Sequence, residues 1–249
     1  MIFHTFGNKN NKAIVLIHGM LCPWQMWNTA ILEFSNDYYV VVPELDAHTE
    51  ETPSEFRSIE EESEKINKYI IDELNGQVFL LAGLSMGGRI AATIAKMGDI
   101  TIENLVLDGA PLTKMNGLMR AVMKHNYKTI IMKSKKHDAK TIEQAKRVFL
   151  PEEMIPHYLK IAENITMASV DHIIDSVFSD FAIPKYGNEI RILFMHGTKG
   201  NEAVSHKCAV NMKKMNPQTE IRCFKGLAHA ELASFKQEQW IKEIKDFIL

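Results

Sequence analysis

Three short stretches of the sequence bring together residue types that can carry out nucleophilic acyl transfer. The first runs Leu80-Leu81-Ala82-Gly83-Leu84-Ser85-Met86-Gly87-Gly88-Arg89 and continues into the small-residue segment Ile90 to Ala95. An apolar run, a Gly-x-Ser-x-Gly turn and a helical pattern in that order predict a serine on a sharp strand-to-helix turn. Its hydroxyl is then lifted clear at a helix N-terminus, where the dipole favours a developing anion. Gly83 and Gly87 are needed there because a Cβ at either position clashes across the turn. The second stretch, Phe224-Lys225-Gly226-Leu227-Ala228-His229-Ala230-Glu231, follows the last apolar run and precedes the last helical pattern. It makes His229 the candidate general base. The third, Ile14-Val15-Leu16-Ile17-His18-Gly19-Met20, ends an apolar run in a glycine-containing loop. Backbone amides aimed from such a loop stabilise a tetrahedral oxyanion. The Met20 and Met86 amides are the expected pair of donors. His18 directly ends its run and is expected to hold the loop by hydrogen bonds rather than to act as the base.

These residues need a scaffold that brings distant loops to one edge. Apolar runs at 13–17, 39–42, 78–82, 104–107, 190–195 and 221–224 are each closed by Gly or Pro, and residues 1–6 can add an edge strand. Continuous rather than alternating hydrophobicity suits strands covered on both faces, hence a mostly parallel sheet. Helical patterns at about 24–35, 57–74, 87–97, 203–215 and 236–248 lie between the runs. The alternation predicts a doubly wound α/β fold. It breaks between Pro111 and Pro184, where helical patterns occupy 118–135, 141–149 and 152–164 and no strand is evident. The expected organisation is an α/β core formed by 1–111 and 185–249, with a helical cap at 112–184.

Composition narrows the function classes. The 249 residues carry 29 Lys and Arg against 31 Asp and Glu, a net charge of −2, which argues against a globally basic nucleic-acid partner. No apolar run approaches the ~18 residues of a membrane span, and residues 1–10 lack a leader-like apolar region. Cys22, Cys208 and Cys223 are scattered, without metal spacing, as suits free thiols in a reducing cytoplasm. The ten histidines show no paired ligand spacing, so no metal is expected. The glycine-rich turn has neither phosphate-loop nor dinucleotide spacing, so no cofactor is expected either. Charge is uneven along the chain. Residues 44–64 hold nine acids against Arg57, and 124–147 hold eight bases against Asp138 and Glu143. These segments are two solvated faces or, in the functional alternative, a basic cap that attracts an acidic substrate or partner.

Together His18-Gly19, Gly83-Leu84-Ser85-Met86-Gly87 and His229, in this order and with the helical insertion between them, resemble the α/β-hydrolase fold superfamily. The stretches around Ser85 and His229 look most like small bacterial capped hydrolases. The resemblance covers essentially the whole chain. It implies a serine hydrolase acting through an acyl-enzyme on a small or medium ester or thioester, with a Ser-His-acid triad. The acid usually follows the penultimate strand, where this chain reads His196-Gly197-Thr198-Lys199-Gly200-Asn201-Glu202 and Gly200 stands at the usual position. Asp108, at the end of the 104–107 run, and Glu202, two residues past Gly200, are the alternatives; a third is that no conventional acid exists. A further departure follows the 39–42 run. The superfamily's Asp-x-x-Gly-His-Gly pattern reads here Glu44-Leu45-Asp46-Ala47-His48-Thr49, without its glycines. The pocket is expected to be walled by the cap and by the loop bearing Trp24, Met26 and Trp27; in the alternative, Trp24 and Trp27 are core residues at a helix start. A second reading starts from Ser85-Met86-Gly87-Gly88-Arg89-Ile90-Ala91, which is similar to the elbow of menaquinone-pathway synthases on this fold. It makes the chain a lyase or C–C hydrolase, with Arg89 and the basic cap holding an acidic substrate. A third is a non-catalytic binding protein on the same scaffold.

Overall fold

The computed structural model describes residues 1–249. Seven strands form one sheet: β1 (Ile2–Phe6), β2 (Ala13–Ile17), β3 (Tyr39–Glu44), β4 (Gln77–Leu84), β5 (Thr101–Asp108), β6 (Arg191–His196) and β7 (Thr219–Cys223). Their order across the sheet is β1-β3-β2-β4-β5-β6-β7. Only β1, against β3, is antiparallel; every other pairing is parallel. The α/β architecture is therefore the expected one, and the six apolar runs and the edge strand are all present. β2, β3 and the C-terminal halves of β4 and β5 are buried at every residue. Burial of both faces is what continuous Val, Ile and Leu runs require.

Ten helices cover the sheet: α1 (Asn28–Phe34), α2 (Ile59–Glu73), α3 (Met86–Met97), α4 (Gly117–Lys135), α5 (Ala139–Val148), α6 (Ile155–Asn164), α7 (Met167–Val177), α8 (Glu202–Met215), α9 (Glu231–Phe235) and α10 (Gln237–Ile248). α2 packs with α3, and α1 with α10. Local caps set several starts. Ser58, Asn116, Asp138 and Thr166 each accept the backbone N–H three residues on, opening α2, α4, α5 and α7. No helix is long and apolar enough to cross a membrane.

Helices α4 to α7 form the insertion between β5 and β6, with α4 packed on α6 and α7. The fourth of them, α7, lies beyond the three helical patterns read in this stretch. Its boundary is the Thr166 cap, which starts a new helix three residues after α6 ends. The insertion is tied down by polar contacts to the 49–59 segment. Phe56 N donates to Ser169 Oγ at 3.2 Å, and Ile59 N to Ser176 Oγ at 2.7 Å. Asn164 Nδ2 donates to the Thr49 and Glu50 carbonyls, both at 3.0 Å. Part of the unevenness of charge is offset by ion pairs within the molecule. Arg120 and Lys124 pair with Asp175, Lys128 with Asp171, and Lys65 with Asp46, Glu61 and Glu62.

Candidate active site

Ser85 sits between the last residue of β4 and the first of α3, with φ 53° and ψ −113°. A β-carbon-bearing residue at positive φ is strained, and such strain persists only where the surroundings over-determine it. Here they do. Ser85 N donates to the Asp108 carbonyl at 2.7 Å, fixing the turn to the end of β5. A Cβ on Gly83 would strike the Gly87 carbonyl, and one on Gly87 the Ile17 and His18 carbonyls. Only glycine lets β4, the turn and β2 approach so closely.

His229, on the loop between β7 and α9, spans the gap between two partners. Its Nε2 lies 2.9 Å from Ser85 Oγ and its Nδ1 2.6 Å from Glu202 Oε1. Glu202 is buried, the first residue of α8, and its other oxygen accepts Gly197 N at 2.6 Å, while Ser205 Oγ donates to Oε1 at 3.1 Å. Burial works to raise the Glu202 pKa, but the bonds from His229, Gly197 and Ser205 outweigh it and hold the carboxyl below its ordinary value. Gly109, at φ 61°, lies flat against the imidazole: a Cβ there would come within 2.7 Å of His229 Cε1. The sequence offered no signal for Gly109 or Ser205; both are known only from what surrounds them.

Of the two carboxylates weighed from sequence, the structure brings Glu202 to the imidazole and not Asp108. Asp108 is the last residue of β5, and its Oδ2 accepts Trp240 Nε1 at 3.1 Å. Burial pushes its pKa up to about 7, against the lowering effect of the nearby His229. Gly200, at φ 66°, lies in the loop between β6 and α8; Glu202 begins α8, and its side chain reaches His229 from two residues past the usual position.

Two histidines hold the loop that carries Gly19 and Met20. His18 Nδ1 donates to the Gly19 carbonyl and its Nε2 accepts Leu45 N; His48 Nδ1 donates to the Asp46 carbonyl and its Nε2 accepts Leu21 N. The β2 and β3 loops are thus cross-tied by rings 5.1 Å apart. Burial lowers His18 to about 3 and His48 to about 4, so both are neutral and each keeps the acceptor nitrogen these bonds need.

Ser85 and His229 open into a cavity of about 350 Å³ between the sheet edge and the insertion. Met20, Met86, Met115, Met119 and Met123 line it, with Ile173 and Phe178 from the α7 region. Its lining contains no Asp, Glu, Lys or Arg.

The family model for the alpha/beta hydrolase fold matches residues 12–207. The chain belongs to the alpha/beta hydrolase fold family. It is similar along its whole length to an alpha/beta hydrolase family protein from Desulfitobacterium hafniense, at 20% identity and a TM-score of 0.78, covering 100% of both chains. It is similar in fold to MenH from S. aureus (16% identity, TM-score 0.72, 99% of this chain and 97% of that one). The enol-lactonase from Burkholderia xenovorans LB400 is comparable (15%, TM-score 0.72, 99% and 95%). An AB hydrolase superfamily protein of Gibberella zeae is 25% identical over 109 residues, which span 43% of this chain and 39% of that protein.

Four residues expected around the pocket, Trp24, Met26, Trp27 and Arg89, lie elsewhere. Trp24 stacks on His4, ring centroids 4.0 Å apart, and on Phe6 at 6.0 Å, next to the edge strand. The single 3-10 turn Trp24–Trp27 turns Met26 and Trp27 into the core, where Trp27 packs on Trp240, and leaves Trp24 facing β1. Arg89 is buried one turn into α3, and its guanidinium donates to Ser179 Oγ at 3.0 Å and the Asp180 carbonyl at 3.2 Å. It lies 4.2 Å over the Phe181 ring. It braces the chain leaving α7 and presents no charge to the cavity, so the reading that gave Arg89 an acidic substrate loses its anchor.

Proposed function

We propose that the protein is a serine hydrolase that cleaves small or medium uncharged carboxylic esters, or related thioesters, through an acyl-enzyme. The single observation that carries this reading is the His229 ring held between Ser85 Oγ and Glu202 Oε1. In this reading Ser85 attacks the acyl carbonyl while His229 Nε2 takes its proton. Glu202 fixes the tautomer with Nδ1–H facing the carboxylate and stabilises the imidazolium. The oxyanion falls to the Met20 and Met86 amides. Met86 opens α3, so its N–H has no intrahelical partner, and Met20 N makes no hydrogen bond in the protein. His229 returns the proton to the leaving group, then activates the water that releases the acid. The insertion at 112–184 acts as a cap, whose Met115, Met119, Met123 and Ile173 give the acyl arm an apolar wall. The absence of Asp, Glu, Lys and Arg from the lining favours a neutral substrate, because an unpaired charge in such a site is costly.

The test is steady-state hydrolysis of p-nitrophenyl esters from acetate to decanoate by the parent and by Ser85→Ala. The reading requires turnover that peaks at short or medium chains and drops by about 10⁴ or more in Ser85→Ala. Equal rates for the two proteins would refute it.

A further inference from the structure

Resting on the serine-hydrolase reading, the geometry points to Tyr127 as a specificity-determining residue, one that hydrogen-bonds a second oxygen of the substrate. The preferred substrates are then uncharged esters with an ether, keto or hydroxyl oxygen on the arm inside the cavity, rather than plain alkyl esters.

Tyr127 lies on α4, is partly buried and lines the same cavity as Ser85, His229 and Cys22. Its hydroxyl has no hydrogen-bond partner in the protein. Tyr158 and Tyr186, deep in the core, differ: Tyr158 Oη shares a 2.7 Å bond with Ser134 Oγ, and Tyr186 Oη donates to the Ala92 carbonyl at 3.0 Å. A substrate arm that fills the cavity takes the Tyr127 hydroxyl out of water, and leaving it unmatched there is unfavourable. The remaining polar side chains of the cavity are already engaged. Ser85 and His229 face each other, Ser205 Oγ donates to Glu202, and the Cys22 sulfur faces the Gly19 backbone N–H. Asn201 stands at the exposed rim. Burial raises the Tyr127 pKa, so the hydroxyl stays protonated and able to donate. In an otherwise apolar cavity one such donor discriminates strongly, since a substrate without an acceptor leaves it unpaired.

The experiment compares p-nitrophenyl pentanoate with esters of the same length in which an ether oxygen replaces one chain methylene, placed at each position in turn. The parent and Tyr127→Phe are assayed on every ester. The oxygen changes the ester's intrinsic reactivity, but that effect cancels when the ratio of kcat/KM values is compared between the two proteins. At one position or more, the oxygenated-to-alkyl ratio should fall about tenfold in Tyr127→Phe. A ratio within about twofold of the parent at every position overturns the proposal. Affinities of the same esters for Ser85→Ala and for Ser85→Ala/Tyr127→Phe are measured in parallel. If hydrolysis fails but the binding preference disappears with the hydroxyl, the reaction assignment falls and the role of Tyr127 stands. Equal binding by the two proteins overturns the role of Tyr127.

Discussion

Glu202 and Asp108 show how environment sorts two carboxylates of similar chemistry within one site. Glu202 keeps its charge because three donors converge on it: the His229 ring, Gly197 N and Ser205 Oγ. Asp108 has one donor, the Trp240 indole, and is pushed towards neutrality by burial. If Glu202 orients the base, Glu202→Gln should lower kcat/KM on p-nitrophenyl butyrate by about 10³–10⁴, because the amide favours the wrong tautomer and cannot stabilise the imidazolium. Asp108→Asn should cost less than about tenfold. A larger loss in Asp108→Asn than in Glu202→Gln would transfer the role to Asp108. The strand-to-helix turn at Ser85 and the loop that carries His229 were legible in the sequence because both depend on local chemistry: glycines that a turn demands, and a short loop between a strand and a helix. Which of Asp108 and Glu202 meets the imidazole was not, because that depends on how a loop bends at Gly200 and how far a side chain then reaches. Trp24 and Arg89 were misplaced for a related reason. Aromatic and basic residues near an active-site motif carry no sequence mark of the side to which their element turns them.

At the scale of elements, the β2 and β3 loops and the insertion behave as parts fastened by side chain to backbone bonds. Alternation of apolar runs and helical patterns was enough to find every strand, since burial on both faces leaves continuous Val, Ile and Leu. α7 was not legible, because the pattern at 152–164 ends with α6, and Thr166, whose side chain opens the next helix, is one polar residue among many in that stretch. The bond from Ile59 N to Ser176 Oγ fastens the start of α2 to α7. Ser176→Ala leaves a first-turn N–H of α2 without this acceptor, at a cost of about 1–2 kcal/mol. A fall in thermal midpoint of about 2–8 °C should follow for a chain of this size. Differential scanning calorimetry checks it, and an unchanged midpoint would mean that water replaces the serine without loss.

For the whole molecule, two buried carboxyls, Asp108 and Glu62, contribute a pH dependence of stability opposite in direction to that of Glu202 and Asp46. Asp108 has its pKa raised to about 7, and Glu62 is raised by burial and by Asp46 beside it. From about pH 4, where an aspartate titrates in the unfolded chain, to about pH 7, native Asp108 keeps a proton that the unfolded chain has lost. Stability from this group therefore falls as pH rises through that window. Asp108→Asn keeps an acceptor for Trp240 and removes the titration, so its thermal midpoint should fall less than the parent's between pH 5 and pH 8. Parallel slopes would show that Asp108 ionises in the fold as it does in water. The central claim for the molecule is that sheet edge, elbow and insertion combine to activate one serine. Intact mass spectrometry after exposure to a fluorophosphonate, on the parent and on Ser85→Ala, tests it most directly. The account predicts one adduct per chain on the parent and none on Ser85→Ala. An unlabelled, folded parent, or an adduct that persists in Ser85→Ala, would contradict it.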